Sequence, residues 1–248
     1  MSLHSHWSQI KRQKGANDSK RAQLFTRLIR EVTVAARDGG TSVDFNPRLR
    51  FAVQRAKDAD MTNEVIERAL KKVAGGDAGG DLHEIHYEGY GPGGTAILVV
   101  ALTDNRNRTS NEVRSMFSHQ GGNLGEVGSV NWLFDRKGLL LLEGDPSELE
   151  TLGLTAIDSG AEDVTPLDDV MEVYSSPEQL EELRIALSEA GAKVVSAEVA
   201  MMPKTTVDLD EKLAAETLRL LEKLDDLDDV QQVFSNANFP EATLQQAS

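Results

Sequence analysis

The chain has 248 residues, of which 40% are hydrophobic, so it can form one large domain or two to three small ones, each with its own core. It contains no cysteine, which excludes disulfides, thiolate metal sites and cysteine nucleophiles. The N-terminus has no apolar signal segment, and no later apolar run approaches the roughly 20 residues of a membrane span. We therefore predict a cytoplasmic protein without a membrane partner.

Charge is distributed unevenly along the chain. The formal net charge is -15 at pH 7, which argues against a nucleic-acid partner because an acidic surface repels phosphate. Residues 1–72, however, contain 15 Lys and Arg against 8 Asp and Glu, whereas the rest of the chain contains 11 against 33. Since charges are screened beyond about 8 Å at physiological salt, the basic N-terminal part can still bind an anion.

Three amphipathic helices are predicted in this basic part. Residues 17–38 place their apolar side chains on one arc at about 100° per residue, which leaves a basic stripe facing solvent on the opposite arc. The stripe consists of Lys20, Arg27, Arg30 and Arg37. Asn46 followed by Pro47 starts a second helix, and Thr62 can cap a third.

Strands and further helices are predicted after a glycine-rich segment, AGGDAGGD at residues 74–81, which is typical of a linker. The predicted strands are 85–90, 95–102, 129–134, 138–144, 162–166, 169–174, 193–202 and 229–235. A capping box of Thr109 and Glu112 predicts a helix that reaches His119. Other helices are predicted near 147–158, 177–190 and 209–225.

The order of these elements predicts the domain organisation. From residue 138 to residue 202 it is strand, helix, strand, strand, helix, strand, which is the order of a ferredoxin-like fold. The elements before and after this segment are each incomplete as a domain. We therefore predict an α+β multidomain protein, with a basic three-helix domain at 1–76, a discontinuous α+β domain at 82–135 plus 204–240, and an inserted ferredoxin-like α+β domain at 136–203.

Several short motifs could suggest catalysis, a cofactor or a metal site, but the residues around each of them argue against that function. GYGPGG at residues 89–94 has G-x-G-x-x-G spacing, but a strand follows it and Pro92 lacks the N–H that would bind phosphate, so it predicts a hairpin turn. The pairs His4 with His6 and His83 with His86 lack a third ligand at a recognisable spacing. No nucleophile elbow occurs. We predict no catalytic residue, no cofactor and no metal, and hence no enzyme.

A one-sided run of cations near the N-terminus is the main candidate for a binding site. Within the first 37 residues only Asp18 and Glu31 oppose Lys11, Arg12, Lys14, Lys20, Arg21, Arg27, Arg30 and Arg37. His4, Ser5, His6 and Trp7 precede the run. Either these residues bind phosphate or the charges form a solvated face. Trp7 either stacks on a base or pins the N-terminal arm to the helices.

A second candidate contact is TDNRNRT at residues 103–109. It places Arg106 and Arg108 just before a predicted helix N-terminus, where backbone N–H groups and the helix dipole also attract anions. The alternative is that both arginines pair with the abundant local carboxylates.

Several separated motifs resemble one protein family. They are HSHWSQIK, SKRAQLFTRLIREVTVAARDGG, NPRLR, YEGYGPGG, LTDNRNRT, GGNLGEVGSVNWLFDRKG and DDVQQVFSNAN. Together they resemble the YebC/PmpR family, which includes the mitochondrial translational activator of cytochrome c oxidase subunit I. The resemblance implies a helical N-terminal domain and two α+β domains, one inserted in the other. One difference is His6, where the family usually has a lysine.

These observations lead to a prediction of function. We predict a nucleic-acid-binding regulator of gene expression, with a DNA-binding transcriptional regulator as the first interpretation, which is the family's usual description. The alternative is a ribosome-associated translation factor that binds ribosomal RNA. This alternative is favoured because the sequence shows no recognition helix of the kind that dimeric DNA-binding proteins place in the major groove. A metal-dependent nuclease is a third interpretation, for which no carboxylate cluster stands out. A monomer is the favoured state.

Overall fold

The structure is a computed structural model, and it describes residues 18–76, 82–167, 169–240 and 243. Its first part contains three helices, α1 (Asp18–Gly39), α2 (Pro47–Asp58) and α3 (Asn63–Ala74). Their facing sides bury one apolar core, formed mainly by Leu28, Val32, Ala35, Ala36, Leu49, Ala52, Val53, Ala56, Met61 and Ile66. We call residues 18–76 the helical module. The predicted three-helix arrangement is confirmed.

Asn46 fixes the turn between α1 and α2. Its side-chain oxygen accepts from the N–H of Leu49 at 3.0 Å, which caps α2, and its amide nitrogen donates to the carbonyls of Ala35 at 2.7 Å and Gly40 at 2.8 Å. Gly39 makes this close approach possible, because a Cβ atom there would lie 2.6 Å from the Asn46 amide nitrogen. One buried amide therefore ends one helix and begins the next.

A four-stranded sheet follows, built from β1 (His83–Tyr90), β2 (Ala96–Thr103), β3 (Asn123–Leu124) and β9 (Val230–Ser235) in the order β3-β1-β2-β9. β1 and β2 form an antiparallel hairpin, and the predicted turn at GYGPGG is confirmed as a short 3-10 helix at Pro92–Gly94. Helices α4 (Arg106–His119) and α7 (Glu211–Asp225) pack on this sheet and on each other. Phe117 and Leu221 are among the side chains that form this core.

The segment between β3 and α7 contains a second sheet. Its elements are β4 (Phe134–Glu143), α5 (Pro146–Asp158), β5 (Asp163–Leu167), β6 (Val170–Ser175), α6 (Leu180–Glu189) and β7 (Lys193–Pro203), with the strands in the order β5-β6-β4-β7. If β4, β5, β6 and β7 are numbered 1 to 4, their order in the sheet is 2-3-1-4, which is the ferredoxin-like arrangement. A short parallel pair of strands, β8 (Val207–Asp208) and β10 (Ala237–Asn238), completes the described elements.

The described chain divides into two compact units. Residues 135–202 form one, which we call the inserted unit, and the described residues up to 134 and from 203 onward form the other. The chain leaves and re-enters the larger unit at adjacent points, since the N–H of Lys204 donates to the carbonyl of Leu133 at 2.9 Å. The predicted α+β multidomain class, with one segment inserted in another, is confirmed. The division into three domains stays a prediction.

Two predicted elements are wrong. The strand predicted at 129–134 is instead a loop that ends in a 3-10 turn at Asn131–Leu133, and a single strand runs from Phe134 to Glu143. Backbone N–H groups of this loop donate to a buried carboxylate rather than to a neighbouring strand. The capping box at Thr109 is also wrong, because the helix begins at Arg106 with Asn105 as its cap and Thr109 lies inside it.

Among residues 18–76, 82–167, 169–240 and 243, we find no helix with the length and apolar character that crossing a membrane requires.

Candidate nucleic-acid interface

The basic stripe of α1 contacts acidic residues of the same compact unit. Arg27 donates to the side chain of Asp225 at 3.3 Å and to its carbonyl, and Arg30 donates to the carbonyl of Asp228 and lies 3.3 Å from the Asp229 carboxylate. Their side chains are only 12% and 24% exposed. We call this set the arginine clasp. The prediction that Arg27 and Arg30 face solvent is therefore wrong.

The helical wheel failed here for a physical reason. It places side chains relative to the helix's own apolar core but does not indicate what packs against the other side. Here, the end of α7 and the loop after it approach that other side and supply carboxylate and carbonyl oxygens. The positive charges of Arg27 and Arg30 are therefore paired within the chain.

Asp229 is the centre of a buried polar network. One of its carboxylate oxygens accepts from Arg108 at 2.6 Å, Thr109 at 2.7 Å and Thr103 at 3.0 Å. Its other oxygen faces Arg30, and its side chain is 3% exposed. Burial raises the pKa of Asp229, but the hydrogen bonds from Arg108 and the two threonines outweigh burial and lower it overall. Asp229 therefore stays ionised and joins α1 to α4.

A third arginine joins the helical module to the sheet. Arg48 on α2 lies 2.7 Å from Glu84 on β1, and its other terminal nitrogen lies 3.4 Å from Asp38. Glu84 also contacts His86 at 3.3 Å. The hydrogen bond with His86 and the charge of Arg48 outweigh burial and lower the pKa of Glu84 to about 2. Arg48 and Glu84 thus form an ion pair between the helical module and the sheet.

The predicted contact residues have different positions in the structure. His4, Ser5, His6, Trp7, Lys11, Arg12 and Lys14 lie outside the described residues. Lys20 and Arg21 lie on α1, where the structure describes the backbone only. Arg37 is in the last turn of α1, 33% exposed, and 3.2 Å from Asp38.

The second candidate contact divides into two roles. Arg106 and Arg108 lie within the first turn of α4, not before it as predicted. Arg106 is exposed, which suits an anion contact. Arg108 pairs with Asp104 at 3.0 Å and with Asp229, which is the second of the two interpretations given for it. Hydrogen bonding to Asp229 is the main reason that the pKa of Arg108 is raised.

A feature that sequence reasoning missed is the loop at residues 125–133, which we call the Glu88 loop. The Glu88 side chain on β1 is buried, and its carboxylate accepts from the N–H groups of Gly128 and Val130, each at 2.7 Å, and Asn131 at 2.8 Å. Burial raises the pKa of Glu88, but these three donors outweigh it and lower the pKa overall. The sequence offered no clear signal, because Glu88 occupies the same polar phase of the alternation as Glu84 and the loop lies about forty positions later in the chain.

Within the part of the chain that the structure describes, no group of three or more His, Asp and Glu side chains is placed to hold a metal ion. His86 contacts Glu84, and His83, considered together with His86 from the sequence, begins β1.

Comparisons with known proteins agree with this architecture. A family model described as the TACO1/YebC protein N-terminal domain matches residues 5–76, and one described as the TACO1/YebC second and third domain matches residues 82–237. A crystal structure of a conserved hypothetical protein from Aquifex aeolicus superposes with a TM-score of 0.83 at 47% sequence identity, covering 90% of this chain and 92% of that one.

Curated relatives match over nearly their whole length. A probable transcriptional regulatory protein of Desulfosudis oleivorans is 49% identical over 242 residues, which is 98% of each chain. Another from Dehalococcoides mccartyi is 51% identical over 239 residues, covering 96% of this chain and 95% of that one.

The fold defines a class of protein with an N-terminal helical region followed by two sheet-and-helix segments, one of which interrupts the other. The chain belongs to the TACO1/YebC family, and the resemblance found in the sequence is confirmed.

Proposed function

We propose that this protein is a nucleic-acid-binding regulator of gene expression that acts as a DNA-binding transcriptional regulator. The observation that carries the proposal is the number of cations near the N-terminus that do not belong to the arginine clasp. Six of the eight cations in the first 37 residues are not part of the clasp. The names of the relatives support the regulatory role. We further propose that the protein acts in the cytoplasm, without catalysis and as a monomer.

The proposed contacts fall into two groups. The direct nucleic-acid contacts are His4, Ser5, His6, Trp7, Lys11, Arg12, Lys14, Lys20, Arg21, Arg37 and Arg106. Arg27, Arg30 and Arg108 are positioning residues, because their guanidinium groups bind carboxylates and carbonyls that hold the helical module against the sheet. A phosphate would have to displace these internal partners to reach them.

The affinity for a DNA duplex is expected to depend strongly on salt. If four to six of the six cations outside the clasp touch phosphate, the affinity falls roughly 10²- to 10³-fold between about 50 and 200 mM salt, since each contact releases a counterion. Fluorescence anisotropy at three salt concentrations, on one duplex and one structured RNA, measures the slope. A flat profile would contradict phosphate binding.

A matched pair of triple variants locates the binding site. Replacing Lys11, Arg12 and Lys14 by glutamine should reduce the slope of log affinity against log salt by up to about 2.7, or about 0.9 for each phosphate that is no longer neutralised. The control replaces Lys212, Arg219 and Lys223, which are exposed on α7, by glutamine. It removes the same residue types and the same charge from the acidic part of the chain. Equal reductions in both variants would contradict a localised basic site.

A second candidate function is a ribosome-associated translation factor that binds RNA. The observation that favours it is the exposure of Trp132 on the Glu88 loop, because aromatic side chains contact unstacked bases, which RNA loops and bulges present. Crosslinking in cells followed by sequencing of the recovered nucleic acid separates the two functions, since one predicts promoter DNA and the other ribosomal RNA.

A further inference from the structure

Two aromatic rings and one aliphatic side chain are exposed at the Glu88 loop. Trp132 is 64% exposed, Tyr90 at the end of β1 is 39% exposed, and Val127 is 91% exposed. Single exposed apolar residues are ordinary, but neighbouring ones that include a tryptophan commonly mark a binding surface. The proposed contacts near the N-terminus and on α4 do not involve this group.

One carbonyl oxygen orients both rings. The indole N–H of Trp132 donates to the carbonyl of Ser129 at 3.1 Å, and the hydroxyl of Tyr90 donates to the same oxygen at 2.9 Å. Ser129 in turn lies between Gly128 and Val130, whose N–H groups bind the buried Glu88 carboxylate. The polar atom of each ring is therefore satisfied within the protein, and what the rings offer a ligand is their carbon faces, held in place before binding.

The polar groups around the rings suit a nucleotide better than an apolar protein surface. Asn123 is the cross-strand partner of Tyr90, so its exposed carboxamide lies on the same face of the sheet. Asn131 precedes Trp132 and is also exposed. The ammonium group of Lys204 donates to the carbonyl of Trp132 at 3.1 Å. Carboxamides hydrogen-bond base edges and an ammonium group attracts phosphate.

We propose that Tyr90 and Trp132 form a stacking platform for an unpaired nucleobase, with Asn123 and Asn131 at the base edge and Lys204 near the backbone. The ligand is single-stranded nucleic acid, because a base inside a duplex is covered on both faces by its neighbours. This inference rests on the proposed function. The phosphate contacts do not distinguish paired from unpaired strands, whereas the stacking platform would bind only unpaired ones.

The protein contains two tryptophans, so comparing the native chain with Trp132→Phe isolates the emission of Trp132. We would titrate both chains with an RNA strand of about 12 nucleotides, the DNA strand of the same sequence and the corresponding DNA duplex. Stacking should quench the Trp132 emission in proportion to binding of either single strand. The RNA and DNA arms show which sugar the site prefers, and the duplex should bind without quenching.

Affinities of the full chain and its variants are then measured with labelled strands. Trp132→Ala should weaken single-strand binding by about 5- to 150-fold and leave duplex binding unchanged, whereas Trp132→Phe should retain most of the affinity. Leu154→Ala is the matched control, since Leu154 is 68% exposed in the inserted unit and should have no effect. Circular dichroism verifies that each variant is folded.

The outcomes are distinguishable. Quenching together with selective loss of single-strand affinity in Trp132→Ala supports the platform. If the protein binds nucleic acid but Trp132→Ala binds single strands as tightly as the native chain, the platform is wrong, while the proposed function stands. If the native chain binds neither strand nor duplex, the proposed function fails and the platform fails with it.

Discussion

Glu88→Ala is expected to lower the free energy of unfolding of the larger unit by about 3 to 5 kcal/mol and to disorder the Glu88 loop. The substitution removes the acceptor of three backbone N–H groups at once. A buried donor left without a partner costs about 1 to 3 kcal/mol, and partial hydration of the opened loop recovers some of this. Amide hydrogen exchange measures the effect directly, because Gly128, Val130 and Asn131 should lose their protection.

A control and a milder variant sharpen this test. Glu172 is a buried carboxylate of the inserted unit that accepts from the Tyr174 hydroxyl. Glu172→Gln should leave the loop amides protected. Glu88→Gln should show an intermediate loss, because it keeps one acceptor oxygen and places an N–H₂ group where the second oxygen accepted. Unchanged protection in Glu88→Ala would mean that the carboxylate does not organise the loop.

The same carboxylate makes the loop sensitive to acid. The pKa of Glu88 is lower in the folded protein than its ordinary value of 4.5. The ionised form is thus the one that folding favours, so its stabilisation is fully present above pH 4.5 and is lost as the pH falls through the lowered pKa. The difference in stability between the native chain and Glu88→Gln should therefore shrink in acid.

Asp229→Ala is expected to cost about 2 to 4 kcal/mol of stability and to loosen the helical module from the sheet. The two buried threonine hydroxyls lose an acceptor, and the charges of Arg30 and Arg108 lose the carboxylate that they share. Urea unfolding followed by circular dichroism gives the stability change. Hydrogen exchange of α1, compared with that of α6 in the inserted unit, shows whether the helical module is the part that loosens.

Asp104→Ala is the matched control for this prediction. Asp104 also pairs with Arg108, but its side chain is 55% exposed. Exposed ion pairs contribute about 0.2 to 1 kcal/mol, so its loss should be small. Equal effects of the two substitutions would mean that Arg108, rather than the buried network around Asp229, carries the stability.

Local sequence patterns predicted most of the elements but not the partners of charged side chains. Apolar periodicity located α1, and the Asn46–Pro47 pair located the start of α2. Each of these signals is local, because it depends on residues only a few positions apart in the chain. The arginine clasp joins residues that are 198 positions apart in the chain, and no local pattern records such a pairing. The same charges can be solvated, bound to phosphate or paired internally, and only the tertiary contacts distinguish these cases.

The Glu88 loop shows a second limit. SVNWLF alternates apolar and polar residues well enough to predict a strand, yet it adopts a loop because Glu88, about forty positions earlier, supplies the acceptor that its N–H groups would otherwise seek in a sheet. A buried polar group can thus override a pattern that local propensity favours. The exposed position of Trp132 follows from this loop, whereas a strand would have placed Trp132 on the same face as Val130 and Phe134, which are buried.

The hydrogen bond between Lys204 and Leu133 makes the chain modular in a way that protein engineering can use. Because the backbone nitrogen of Lys204 lies 2.9 Å from the carbonyl oxygen of Leu133, the points where residues 135–202 depart and return are close together and a short turn can join them. The excised segment is one contiguous stretch of sequence. Recombinant chains that lack residues 135–202, or that carry a relative's version of them, can therefore be made with cuts at the first residue of β4 and the last residue of β7. Exchanging this segment among relatives would show which unit determines target choice.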